Sequence, residues 1–135
     1  YQGATQLEKF LSVTQILVCL LPLTKETTRI LNAKLFNTLP KGAYIINAAR
    51  GGHLVDQDLI NSIDEGHISG ATLDVFHQEP LPTSHPFWQH QKINLTPHYA
   101  SVSDTRSVVP QILDNYYRMK KGERLLNLIS QKKGY

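Results

Sequence analysis

The run Gln15–Leu21, QILVCLL, is continuously apolar after its first residue rather than alternating. Continuous apolarity predicts a strand covered on both faces, as in a parallel sheet. Pro22 and the polar TKETT end it. Three further runs read as strands: Ala43–Ala48, Ile68–Val75 and Lys92–Thr96. Helical patterns lie between and around them. Thr5–Leu11 carries Leu7, Phe10 and Leu11 on one side. Asn32 is placed to cap a helix with the stripe Leu35, Phe36, Leu39, stopped by Pro40 and Gly42. Asp56 is read as the cap of a helix bearing Leu59, Ile60 and Ile63, closed by Gly66. A last long helix carries Val108/Val109, Ile112/Leu113 and Tyr116/Tyr117. Pro110 fits it best in the first turn, which favours Ser107 over Ser103 or Asp104 as cap. Residues 122–135 read as a loosely held tail.

Strands alternating with helices of about ten residues predict an α/β fold with a parallel sheet and flanking helices. At 135 residues, 41% of them hydrophobic and 19% charged, the chain suits one domain with a real core. The net charge of +3 is mild. Its clusters, Arg118, Lys120, Lys121 and Arg124, then Lys132 and Lys133, read as a solvated face without the aromatic interleaving of a nucleic-acid surface. Ile16–Leu23 is far shorter than the ~20 residues of a bilayer span. Neither nucleic acid nor membrane is an expected partner. Cys19 is alone, so it forms no internal disulfide and reads as a buried thiol; with no signal peptide visible, a cytoplasmic location is expected. The opening YQGATQ lacks Met, and the chain is expected to be a piece of something longer.

The carboxyl ends of parallel strands share one edge, where open α/β sheets bind ligands. Polar groups follow the strands there. Arg50 sits between a strand and two glycines, and its planar fork suits a carboxylate; pairing with a structural Asp is the alternative. His98 follows a strand and a proline, and histidine suits proton transfer near neutral pH. Glu79, in the loop between two strands, would orient an imidazole and favour its charged form, or else be a solvated loop acid. Asp74 ends an apolar strand, where a carboxylate needs a partner: a backbone turn or a ligand amide. His53, His67, His77, His85 and His90 lie in loops or polar contexts and read mostly as bystanders. No GxSxG, HExxH, CxxC or paired acidic metal motif is present, and no metal site is expected. A GxGxxG or GxxxxGK[ST] phosphate loop is also missing.

ILVCLLPLTKETTRIL, GAYIINAARGGHLVDQDLINSIDEGHISGATLDVFHQEPLP and INLTPHYA together resemble the C-terminal part of D-2-hydroxyacid dehydrogenases. FHQEPLP, the following W-x-H and the terminal KGY are most similar to the glyoxylate/hydroxypyruvate reductase A branch. The resemblance implies the C-terminal half of a Rossmann-type NAD(P)-binding domain over residues 1–102. Residues 103–135 would be a helix and tail returning to a flavodoxin-like substrate domain. It also implies roles. Arg50 would hold the carboxylate and carbonyl of a small 2-oxo acid, His98 would protonate the carbonyl oxygen, and Glu79 would keep His98 protonated. Asp74 would meet the nicotinamide carboxamide. Leu21, Pro22, Ala48, Ala49, Arg50, His98 and Ala100 would line the nicotinamide pocket. The implied cofactor is NADPH or NADH, and the implied reaction is reduction of glyoxylate or hydroxypyruvate by a homodimer at full length. The piece alone is expected to be inactive, since the phosphate loop lies in the half not seen. A nucleotide-sensing binding module of the corepressor type shares this fold and is the alternative.

Overall fold

The computed structural model describes residues 1, 3–101 and 103–130. Val102, Lys132, Lys133 and the terminal KGY lie outside them. The chain forms two compact units, Tyr1–Ala100 and Ser101–Tyr135. In the first, the elements are α1 (Leu7–Leu11), β1 (Ile16–Cys19), α2 (Ala33–Thr38), β2 (Ala43–Asn47), α3 (Asp56–Asp64), β3 (Ile68–Leu73) and β4 (Ile93–Leu95). Short 3-10 turns occupy Ala4–Gln6, Gly51–His53 and Pro86–Gln89. The sheet has the order β1-β2-β3-β4, every pair parallel. All four carboxyl ends therefore share one edge.

Local chemistry explains the elements. Asn32 caps α2 by accepting the Leu35 N–H at 3.1 Å, and the helix stops one residue before Pro40. Gly66 follows α3 in a left-handed conformation, φ 74°. Leu35 and Phe36 of α2 join Leu59 and Ile63 of α3 in one apolar core with Leu17, Ile45, Ile68 and Leu73 of the sheet.

Three expectations need correction. The first strand is not covered on both faces: Leu17 and Cys19 are buried, but Ile16 and Val18 are 62% and 48% exposed. Both connecting helices add apolar residues to one core, so the opposite face stays open. Across that open face Tyr44 OH meets Thr72 Oγ1 at 2.9 Å and accepts from Asn94 Nδ2 at 3.0 Å. Second, Asp56 is the first residue of α3 rather than its cap; Val55 precedes the helix without a side-chain cap. The Asp56 carboxylate instead faces His77 and His85, 3.6 and 3.4 Å away. Third, the long helix of the second unit, α4, spans Thr105–Lys121 and is capped by Asp104, not Ser107. Asp104 Oδ1 accepts the Arg106 N–H at 3.1 Å, so Pro110 lies inside the helix, where it supplies no donor. Gly122 closes α4 at φ 70°. Beyond it, the Leu126 N–H donates to Asn115 Oδ1 at 2.8 Å. Ile112, Leu113, Tyr116 and Tyr117 are exposed on α4.

Cys19 is a buried thiol, 4% exposed, and burial raises its pKa. No helix among the described residues is long and apolar enough to cross a membrane. No group of His, Cys, Asp and Glu among them is arranged to hold a metal ion.

Candidate active site

Each expected site residue follows a strand at the shared edge. Leu21 and Pro22 come after β1, Ala48–Arg50 after β2, Asp74 after β3, and His98 and Ala100 after β4. Glu79 is in the loop after β3.

Glu79 and His98 meet directly, with 2.7 Å between Oε2 and Nδ1. The other carboxylate oxygen, Oε1, accepts the Phe76 N–H at 2.9 Å. The His98 hydrogen bond, then that amide, hold the Glu79 carboxyl below its ordinary range, and the Arg50 charge adds to the effect. With Nδ1 on Glu79, Nε2 is the ring nitrogen left for another partner. His98 itself has φ 52°, a left-handed conformation uncommon outside glycine.

Asp74 explains how that turn is held. It is 4% exposed. Its Oδ1 accepts from the Thr96 hydroxyl and from the Tyr99 N–H at 3.1 Å; Oδ2 accepts the Ala100 N–H at 2.9 Å. Burial alone would raise its pKa, but the Thr96, Ala100 and Tyr99 hydrogen bonds and the His98 charge outweigh burial and lower it. The backbone-turn alternative is thus realised: Asp74 clamps the residues on both sides of His98.

Arg50 has no carboxylate partner within ion-pair distance among the described residues. Its guanidinium donates from Nη1 to the Ala49 carbonyl at 2.6 Å, and the residue is exposed. Its charge helps lower the Glu79 pKa. The loops bearing Arg50 and Glu79 cross closely at Gly51. A Cβ there would lie 2.0 Å from the Phe76 carbonyl carbon, so only glycine permits this approach.

A cavity of about 580 Å³ opens beside the pair, lined by Phe76, Leu81, Trp88 and Leu95 together with Glu79 and His98. Trp88 Nε1 donates to the Pro82 carbonyl at 2.9 Å.

Sequence reasoning passed over three residues here. Asn47, fully buried, accepts the Ala49 N–H at 3.2 Å and donates to the Arg50 carbonyl at 3.1 Å. The signal was available: an amide closing an otherwise apolar strand. Thr96 holds Asp74, and a hydroxyl one residue before Pro97 hinted at it. His53, read as a bystander, is fully buried with both ring nitrogens against carbonyls. The other four histidines also have partners. His67 Nε2 meets the Phe36 and Leu39 carbonyls at 2.9 and 3.1 Å. His77 meets the Leu54 carbonyl at 2.9 Å, and His85 and His90 face Asp56 and Asp64.

Residues 1–100 match the family model described as D-isomer specific 2-hydroxyacid dehydrogenase, NAD binding domain. Over all 135 residues the chain is 46% identical to a glyoxylate/hydroxypyruvate reductase A of Photorhabdus laumondii. It spans 43% of that relative's length. It superimposes with a TM-score of 0.95 on a D-isomer specific 2-hydroxyacid dehydrogenase from Xanthobacter autotrophicus solved with NADPH and MES. That match has 42% identity and covers 100% of this chain and 56% of that one. A second match is the NADPH-dependent glyoxylate/hydroxypyruvate reductase of Sinorhizobium meliloti solved with NADP and sulfate. Its TM-score is 0.92 and its identity 37%, over 99% of this chain and 44% of that one. These agreements in sequence and in fold, a parallel Rossmann-type sheet with flanking helices, place the chain in the D-isomer-specific 2-hydroxyacid dehydrogenase family.

Proposed function

We propose that this chain carries the catalytic edge of an NADPH- or NADH-dependent reductase. Its substrate is a small 2-oxo acid, glyoxylate or hydroxypyruvate, and its product the 2-hydroxy acid. Residues 1–102 serve as the second half of the nucleotide-binding domain, and 103–135 lead back toward a substrate domain. The observation that carries this reading is the 2.7 Å Glu79–His98 contact at the strand edge that also bears Arg50, a cation without an ion-pair partner among the described residues. The reductases of Photorhabdus and Sinorhizobium support the substrate class, and the bound NADPH and NADP of the Xanthobacter and Sinorhizobium enzymes support the cofactor.

The residues fit the nicotinamide end of such a cofactor. Asp74 Oδ2 accepts a single hydrogen bond, from Ala100, and a carboxylate oxygen can take a further amide donor. Leu21, Pro22, Ala48 and Ala100 supply small or apolar surface at the same edge, whereas Ala49 is buried in the core behind them. When bound, the nicotinamide supplies the hydride. The chain supplies charge, orientation and a proton. Arg50 holds the substrate carboxylate with its two-pronged donor set and polarises the neighbouring carbonyl. His98 gives the Nε2 proton to the carbonyl oxygen as that oxygen becomes a hydroxyl. Glu79 grips Nδ1, which fixes the ring and turns Nε2 to the substrate.

The test is NADPH and NADH consumption with glyoxylate and hydroxypyruvate, by a polypeptide of the relatives' full length carrying this sequence. Turnover with either acid is expected. No turnover with any small 2-oxo acid and either nucleotide would overturn the reading.

A further inference from the structure

Among the described residues, His53 is a buried ionisable side chain at this edge that the proposed reaction does not use. His53 ends the 3-10 turn that begins just after Arg50 and is 0% exposed. Its Nδ1 lies 3.0 Å from the Arg50 carbonyl oxygen, and its Nε2 lies 3.3 Å from the Pro22 carbonyl oxygen. A neutral imidazole carries one ring proton and both carbonyls only accept, so the ring donates to one of them. The Arg50 carbonyl already takes two donors, the His53 N–H and the Asn47 amide, which leaves the ring proton to Nε2 and the Pro22 carbonyl. The residue therefore spans from the loop after β1, through Nε2–H, to the loop after β2, through its own main chain.

Both anchor points are otherwise well held. The Arg50 carbonyl also accepts the His53 N–H at 3.2 Å and the Asn47 side-chain amide at 3.1 Å. The Pro22 carbonyl also accepts from Thr27 Oγ1 at 2.7 Å, and Thr27 Oγ1 in turn accepts the Thr24 N–H at 2.8 Å. Neither carbonyl needs the histidine for its own satisfaction. An apolar side chain would fill the same volume without the cost of burying a polar ring. What an apolar residue lacks is the ring N–H that reaches the Pro22 carbonyl.

We propose that His53 is a positioning residue: by donating Nε2–H to the Pro22 carbonyl while its backbone N–H holds the Arg50 carbonyl, it sets the spacing of the two loops, and so aims the Arg50 guanidinium at the carboxylate of an anionic substrate. This rests on the proposed role of Arg50. Among the described residues the exposed Arg50 side chain is hydrogen-bonded only to the preceding carbonyl, so its main chain must supply the precision.

Two variants separate bridging from packing. In His53→Asn the side-chain amide nitrogen takes the place of Nδ1 and reaches only the Arg50 carbonyl. In His53→Gln it takes the place of Nε2 and reaches only the Pro22 carbonyl. In a polypeptide of the relatives' full length, amide hydrogen exchange at Thr24 and Thr27 and, with NADPH added, the affinity for oxamate, a non-reacting 2-oxo-acid analogue, are measured for both variants and the unchanged chain. His53→Asn is expected to speed exchange at Thr24 and Thr27 and weaken oxamate binding about ten-fold, the size of one buried hydrogen bond. His53→Gln is expected to keep Thr24 and Thr27 protected. Equal exchange at these amides in both variants would overturn the proposal. If the unchanged chain binds no oxamate, the Arg50 reading fails. The exchange comparison then decides the bridge by itself, upheld by faster exchange in His53→Asn and overturned by none.

Discussion

His98 Nδ1 and Glu79 Oε2 stand 2.7 Å apart although 19 residues separate them in the chain. Two parallel strands, β3 and β4, bring them together by ending on the same edge. The pair is partly exposed, 43% and 37% for the two side chains, so a ligand can reach it. Its geometry is set from beneath by Asp74 and from the side by the Phe76 amide.

Folding lowers the Glu79 and Asp74 pKa values. A depressed carboxyl adds stability above its unfolded pKa, about 4, and that stability is lost as pH falls through the folded value. Denaturant midpoints are therefore expected to hold from neutral pH down to about pH 5 and to fall below pH 4. In Glu79→Gln and Asp74→Asn the fall should be shallower. A midpoint that rises on acidification would contradict the assigned partners.

Asp74→Asn replaces one accepting oxygen by an NH2 group: at Oδ2 the Ala100 N–H loses its acceptor, and at Oδ1 both Thr96 and Tyr99 do. Stranding a buried donor costs about 1–3 kcal/mol. At about 4–8 °C per kcal/mol for a domain near 100 residues, calorimetry should show a clear drop in Tm. Amide exchange at Tyr99 and Ala100 should quicken with it.

Gly51→Ala and Gly66→Ala should differ sharply. At Gly51 a Cβ meets backbone atoms at 2.0 to 2.4 Å. The two loops must separate, at a cost of about 3 kcal/mol or more. At Gly66 there is open space and only the strain of φ 74°, about 1 kcal/mol. Thermal melts of the two variants give the comparison, and equal losses would mean that the crossing at Gly51 is looser than it looks.

Arg50→Ala removes the cation proposed to hold the substrate carboxylate. A charge-assisted hydrogen bond is worth about 1.5–3 kcal/mol, so KM for glyoxylate should rise roughly 10- to 100-fold. Arg50→Lys should recover little of it, because a point charge lacks the two-pronged geometry. An unchanged KM in Arg50→Ala would remove Arg50 from the site.

Much of this was legible in the residues. The four strands announced themselves by apolar runs, and the parallel pairing of the first three by the helices between them. Once the carboxyl ends share an edge, Arg50, Asp74, Glu79 and His98 converge there without further information. What stayed hidden depends on contacts across the chain. Whether Ile16 and Val18 are covered depends on what packs on the open face, which a local pattern does not encode. Pro110 looked like a first-turn residue because local rules favour it there, yet Asp104 starts the helix earlier. His53 sits in a loop by sequence and in the core by structure, since its surroundings are built from residues 22 and 50.

The central claim is that His98, gripped by Glu79, delivers a proton to a 2-oxo acid. The most direct measurement is kcat for glyoxylate reduction by His98→Gln in the full-length polypeptide, alongside its affinity for NADPH. Loss of a positioned general acid should cut kcat by about 10²- to 10⁴-fold while nucleotide affinity stays within a few-fold. An undiminished kcat would contradict the assignment.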